Sequence, residues 1–206
     1  MANPSKSKGT SLETWTVRYL AWALQDTRID RMPLHGNADQ GDLIGVMFHG
    51  EPVCVECKDT KMPNYRKHWR ELKVEMANMD TPYGVLIQHR RGVGVKSLKG
   101  MARQMAVFDI GTLERFLATH MGHVLGPDYR IRRELANRLR GESRPVPSNP
   151  MLVWMPLELF ALLLKRRLGV GAGRWPGLTL IPTSVAAVAP VCVAATTANP
   201  RPMARG

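Results

Sequence analysis

Glu56 and Lys58 stand two residues apart in the run Val53-Cys54-Val55-Glu56-Cys57-Lys58, which is otherwise apolar and rich in β-forming residues. Side chains alternate along a strand, so this carboxylate and this ammonium point the same way, while Val53, Val55 and Cys57 point into a core. A carboxylate inside an apolar strand needs a partner or a task. Asp42 opens the preceding apolar run, 42–48, which ends at His49-Gly50. The two runs read as a β-hairpin. A turn centred on His49 sets Asp42 opposite Glu56, with α-carbons roughly 4.5–5.5 Å apart. Carboxylates so close repel each other unless a cation lies between them. Magnesium suits such a place: it takes oxygen ligands and keeps several waters, so one or two carboxylates suffice when phosphate supplies the rest. Lys58 beside them can orient a water or offset charge developing on phosphate. Plainer tasks exist for two of the three: Asp42 as a turn residue after Gly41, and Lys58 as a solvated strand end.

Other elements must hold these residues in place. Residues 10–25 are predicted as a helix, because Thr10-Ser11-Leu12-Glu13 fits a capping box with Thr10 as N-cap. Glu13, Val17, Leu20 and Leu24 then share one face. Closing the capping box is one task for Glu13 and a place beside Asp42 and Glu56 is another. The two are compatible, since that face points at the sheet. A short strand is expected over 28–34, then a polar loop with two glycines. Residues 65–79 read as a helix with Trp69, Leu72, Met76 and Met79 on one face and Arg66, Lys67, Arg70 and Lys73 on the other. Residues 83–88 and 105–110 read as strands, with the basic loop His89-Arg90-Arg91-Gly92-Val93-Gly94 after the first, and 112–120 as a helix. This order gives an α/β protein: a mixed central sheet flanked by helices.

The core is expected to end near residue 125. A basic helix over 126–143, carrying Arg130, Arg132, Arg133, Arg138 and Arg140, follows it. Residues 144–206 are read as a C-terminal extension, poorly ordered or helical, entered through the linker Arg144-Pro-Val-Pro-Ser-Asn-Pro150. Residues 151–168 have a helical apolar pattern interrupted by Pro156 and Glu158. That stretch is too short for a membrane span, which needs about 20 apolar residues. Residues 175–200 carry no charge, but Pro182, Pro190 and several threonines break the run.

A net charge of +12 over 206 residues draws the chain to polyanions, of which nucleic acid is the commonest. Three cysteines cannot build a disulfide framework, and the polar start is no signal peptide, so a reducing cytoplasm is the expected setting. Cys54-x-x-Cys57 lacks a second pair, and on a strand its two thiols face opposite sides, which argues against zinc. Gly92-Val-Gly94 lacks the Gly-Lys-Ser/Thr ending of a phosphate loop. His35, His49, His68 and His89 have no ligand spacing and are expected at the surface, whereas Trp69 is expected in the core.

Gly41-Asp42-Leu43, a short hairpin and then Val55-Glu56-Cys57-Lys58 resemble the PD-(D/E)XK nuclease signature, with glycine rather than proline before the aspartate. Ser5-Lys6-Ser7-Lys8-Gly9 before a helical Glu13 resembles the bacteriophage and archaeal Holliday junction resolvases of that superfamily. The stretch from Arg31 through His35-Gly36 to Asp39-Gln-Gly41-Asp42 is similar to bacteriophage members. So is Trp69…Glu75-Met-Ala-Asn78 followed by Gly84-Val-Leu-Ile-Gln-His-Arg-Arg91. The resemblance covers roughly residues 5–120. It implies a restriction-endonuclease-like αβββαβ core. It further implies magnesium, with manganese able to substitute, held by Asp42, Glu56, the Cys57 backbone carbonyl and Glu13, and a Lys58 that positions the attacking water. Lys6, Lys8, Arg31, Arg66, Lys67, Arg70, Lys73, Arg90, Arg91 and Lys96 are the residues expected to meet DNA.

The expected function is therefore a metal-dependent endonuclease of branched DNA, acting as a homodimer in the cytoplasm, the host's if a bacteriophage encodes it. A PD-(D/E)XK nuclease of other purpose (restriction, repair or end processing) is one alternative. A catalytically inactive DNA-binding relative is another, and the presence of every acidic position argues against it.

Overall fold

Apolar stripes that repeat every three to four residues need a surface to cover, and here that surface is a five-stranded sheet. The computed structural model describes residues 4–33, 39–122, 137 and 139–165, with the side chains of 4–8 and 120–122 excepted. These residues fall within one unit, Met1–Ala172. The chain opens with α1 (Pro4–Leu24), then four two-residue strands: β1 (Asp30–Arg31), β2 (Leu43–Ile44), β3 (Met47–Phe48) and β4 (Glu51–Pro52). β5 (Cys54–Lys58), α2 (Tyr65–Asn78), β6 (Gly84–Gln88), α3 (Leu98–Ala102), β7 (Met105–Asp109) and α4 (Ile110–Gly122) follow. The described part closes with β8 (Arg144–Val146), β9 (Asn149–Pro156) and α5 (Leu157–Leu164).

The central sheet runs β5-β6-β7-β9-β8. β5 and β6 are parallel, with α2 as the crossover between them, and all other pairs are antiparallel. The sheet is thus mixed and the class α/β, as expected. Parallel neighbours covered on both faces read as continuous apolar runs, and Val85, Leu86 and Ile87 of β6 are fully buried. α1 and α2 cover opposite faces of β5: Cys57 Sγ reaches Thr16 Oγ1 on α1 at 3.7 Å, while Lys58 Nζ lies 3.8 Å from Glu71 on α2. No helix among the described residues is long and apolar enough to cross a membrane.

Four expectations need correction. First, α1 begins at Pro4, so Thr10 lies inside the helix and caps nothing. A proline at the first helical position costs no hydrogen bond, which lets the helix start early. The buried stripe of α1 is Leu12, Thr16, Tyr19, Leu20 and Ala23, one position from the one expected, with Glu13 on its flank.

Second, the hairpin turns on His49 and Gly50 together. Both have positive φ (51° and 96°) and Phe48 pairs with Glu51, the geometry of a tight two-residue turn. The strand expected over 42–48 breaks at Gly45, whose φ is 77° and whose missing Cβ would collide with the Arg28 carbonyl oxygen.

Third, the boundary near residue 125 does not hold. β9 pairs with β7 from Asp109↔Leu152 to Met105↔Pro156, so the stretch read as linker and helix supplies two strands of the main sheet. Pro156 ends the strand and stands at the N-cap of α5, every residue of which except Glu158 is buried. Phe160 of α5 packs on Phe108 and Phe116, at ring separations of 5.3 and 5.8 Å. The basic helix expected over 126–143 lies mostly outside the described residues, although 139–142 are helical and Arg140 pairs with Glu114 at 3.2 Å. Residues 166–206 lie outside them as well.

Fourth, one histidine is not at the surface and another is half-buried. His68 is buried on α2. His89 is clipped between Asp59, at 2.7 Å from Nδ1, and the Val93 carbonyl, at 2.8 Å from Nε2. Trp69 is buried as expected, while His35 falls outside the described residues.

Candidate active site

Asp42 is fixed by three short hydrogen bonds. Its amide donates to the Val55 carbonyl at 2.8 Å, its carbonyl accepts from the Met32 amide at 2.7 Å, and its Oδ2 accepts from the Cys57 amide at 2.7 Å. Val55 and Cys57 flank Glu56, so Asp42 straddles the residue it was expected to oppose. Gly41 permits this approach: its φ is 86°, and a Cβ there would stand 2.9 Å from the Val55 carbonyl oxygen. The loop before Asp42 is tied to the end of α2, with Gln40 Nε2 donating to the Asn78 carbonyl at 3.0 Å and Asn78 Nδ2 to the Asp39 carbonyl at 2.7 Å.

β5 carries the rest of the expected centre. Glu56 is buried, and Lys58 Nζ donates to its Oε1. From the α1 side, Glu13 comes close enough for its charge to act on Asp42. One Glu13 oxygen accepts from Arg31 twice, from Nε at 2.9 Å and from the terminal nitrogen at 2.6 Å. Asp42, Glu56 and Lys58 are thus brought together, with Glu13 near Asp42. Arg31, expected to meet DNA, is exposed and pairs with Glu13.

The electrostatics of the cluster are those of too many carboxylates in too little water. Burial, then the charges of Asp42 and Glu75, push the Glu56 carboxyl up to about 9 despite Lys58. Burial also raises Asp42, aided by Glu13 and opposed by the Cys57 amide. For Lys58 burial acts downward, but the bond and charge of Glu56 outweigh it and the amine is held above its ordinary value.

The sequence reasoning missed two residues of this neighbourhood. Glu75 lies on the buried stripe of α2 between Leu72 and Met76, and its Oε2 has no hydrogen-bond partner. Burial, then Asp39, bring its carboxyl up to about 7. His68, on the same stripe, is depressed by burial and then by the Lys58 charge, and its Nδ1 has no partner either. The signal was available, since both sit in register with Tyr65, Leu72 and Met76 on the apolar side of the helix.

The comparisons with known proteins were negative. No family model, curated protein or solved structure matches the chain.

Among the described residues, no three His, Cys, Asp or Glu side chains are gathered into a ready coordination sphere for a metal ion. Arg31 and Lys58 each pair with an oxygen of these carboxylates. The donor set still fits a hard divalent cation: oxygen ligands only, two carboxyls raised by burial with repulsion adding to it, and one buried carboxylate oxygen left without a partner. Cys54 and Cys57 do not enter it. Both are free and buried, and burial raises both thiols well above their ordinary value.

Of the residues expected to meet DNA, Arg66 and Arg70 are exposed on the outer side of α2, and Arg91 and Lys96 on the loop before α3. Lys67 is exposed too and pairs with Glu71 at 3.6 Å. Lys73 is drawn to Asp109 at 3.2 Å and lies over the Trp69 ring, and Arg90 lies over the Trp154 ring. The side chains of Lys6 and Lys8 fall outside the described residues.

Proposed function

We propose that this chain is a divalent-cation-dependent DNA endonuclease of the PD-(D/E)XK type, and that branched DNA is its substrate. The observation that carries the reading is the convergence of Asp42, Glu56 and Lys58, with the Asp42 carboxylate locked to the backbone between Val55 and Cys57. Three features of the architecture agree with it. A strand with Glu-x-Lys runs parallel to its neighbour through a helical crossover, the aspartate is held beside that strand, and a helix brings Glu13 to the same end.

In this reading Asp42, Glu56 and the Cys57 carbonyl hold magnesium or manganese, with Glu13 as a further carboxylate. When bound, such an ion lowers the pKa of water and neutralises charge developing on phosphate. The chain's own residues do the rest. The Cys57 amide fixes the rotamer of Asp42, and Arg31 does the same for Glu13. Lys58 donates to Glu56, and the same ammonium orients the water whose oxygen attacks phosphorus. A phosphorus–oxygen bond forms as the water gives up a proton to solvent, the bond to the leaving oxygen breaks, and that oxygen takes a proton from solvent. Arg66, Arg70, Arg91 and Lys96 hold phosphates by charge, which reads backbone and not base edges.

A junction needs paired cuts, hence two sites at fixed separation, and a symmetric dimer provides them with one gene product. The test is cleavage of four-way junctions, flaps and linear duplex by the full chain in magnesium, with the oligomeric state measured by sedimentation. A dimer that places symmetric nicks about the branch point supports the proposal. A monomer that cuts duplex as readily as junctions leaves the nuclease site standing and removes the preference for branches.

A further inference from the structure

We propose that Glu75 is a cation-binding carboxylate of this site, reaching it from α2, on the face of the sheet opposite the helix that carries Glu13. The inference rests on the reading of Asp42 and Glu56 as a cation site and adds to it a residue to which the sequence analysis gave no role. Glu75 is only 4% exposed, yet its Oε2 has no hydrogen-bond partner. Buried polar atoms are normally bonded, because a carboxylate stripped of water and left without a donor is costly. Position 75 lies on the apolar stripe of α2, between Leu72 and Met76, where methionine or leucine would pack without that cost. A structural task for the glutamate would need a donor, and its Oε2 has none.

The groups whose charges act on Glu75 are Asp39, Asp42 and Glu71, all acidic, and Lys58, the one cation among them. Glu13 is balanced by Arg31, and Glu71 has Lys67 beside it. Asp39, Asp42, Glu56 and Glu75 remain with Lys58 as the cation among them, an acidic surplus that a divalent cation offsets. Asn78 and Gln40 clamp the loop of Asp42 to the last turn of α2, so these bonds keep Glu75 and Asp42 in one neighbourhood against their mutual repulsion.

The test is calcium binding by calorimetry on the full chain without DNA, with thermal unfolding measured in the presence and absence of calcium. Glu75→Gln should weaken calcium binding by at least about tenfold and reduce the calcium-induced rise in Tm, while its cation-free Tm equals or exceeds that of the unaltered chain. Glu75→Met, which matches the apolar stripe, should behave alike. Calcium affinity unchanged in both variants, or a cation-free Tm lowered in both, overturns the proposal, the second result because it marks a structural residue. Asp42→Asn separates this inference from the one beneath it. Calcium binding lost in Asp42→Asn but kept in Glu75→Gln overturns the role of Glu75 alone. Calcium binding untouched in both overturns the cation site itself.

Discussion

Arg31 grips one oxygen of Glu13 with two guanidinium nitrogens, at 2.9 and 2.6 Å, and so joins strand β1 of the small β1–β2 sheet to the flank of α1. The pair is partly exposed, and such pairs contribute only about 0–1 kcal/mol to stability. Its value lies in aim. Arg31→Ala should therefore leave Tm nearly unchanged while lowering magnesium-dependent cleavage by about tenfold, the usual effect of removing a group that orients a ligand. Unchanged cleavage would mean that Glu13 stands outside the chemistry.

Asp42 and Lys58 should separate in kinetics. Asp42→Asn keeps the shape and the acceptor for the Cys57 amide but halves the local carboxylate pair, and cleavage should fall to background while DNA affinity, which comes from phosphate contacts, stays within about threefold. Lys58→Met should cost about 100-fold in single-turnover rate with little change in affinity. Gel-shift and single-turnover assays on the same substrate measure both. Cleavage by Asp42→Asn at the unaltered rate would sink the assignment of the site.

Acid–base linkage gives a third expectation. Glu56 is raised from 4.5 to about 9 and Glu75 from 4.5 to about 7 in the folded chain. A group whose folded value is raised contributes stability that is fully present below its unfolded value and is lost as pH rises through the folded one. Without divalent cations, Tm should thus fall as pH rises from about 5 to 9, and Glu56→Gln should flatten the upper part of that slope. Protons and cation compete for the same oxygens, so calcium affinity should rise over the same range. Titration of Tm with and without calcium checks both signs; a cation-free Tm that climbs toward pH 9 would contradict them.

The C-terminal strands supply a fourth. Ending the chain at residue 142 removes β8, β9 and α5, uncovers the edge of β7 and takes Phe160 out of the aromatic cluster. Such a chain should fail to fold, whereas one ending at Ala172 should keep both Tm and cleavage. Phe160→Ala in the full chain should cost about 3–5 kcal/mol in urea unfolding, as truncation of a fully buried phenylalanine does. A cooperative, soluble fragment 1–142 would show that β9 is dispensable.

The parts legible in the sequence were those written in local pattern. Alternation along Val53 to Lys58 gave the faces of β5, and the spacing of Trp69, Leu72 and Met76 gave the inner face of α2. The pairing of Asp42 with Glu56 was read correctly as proximity but not as register, because the bend at Gly45 depends on the Arg28 carbonyl, a contact with no sequence signature. β9 was read as linker and helix start because its apolar run is continuous with the helical pattern of α5, and the partner that makes it a strand lies at 105–109. Glu75 was passed over because one acid in an apolar stripe looks like a tolerated exception until its oxygen is seen to lack a donor.

The place of β9 in the sheet also sets a timetable. During synthesis β5, α2, β6 and β7 leave the ribosome first, and the partner of Asp109 arrives only with Leu152. At ordinary translation speed that interval is on the order of seconds. Throughout it the nascent chain holds a nearly finished sheet whose outer strand is open to any passing β-edge, including that of the next copy on the same message. Slow elongation through this stretch would therefore favour aggregation between neighbouring nascent chains over maturation.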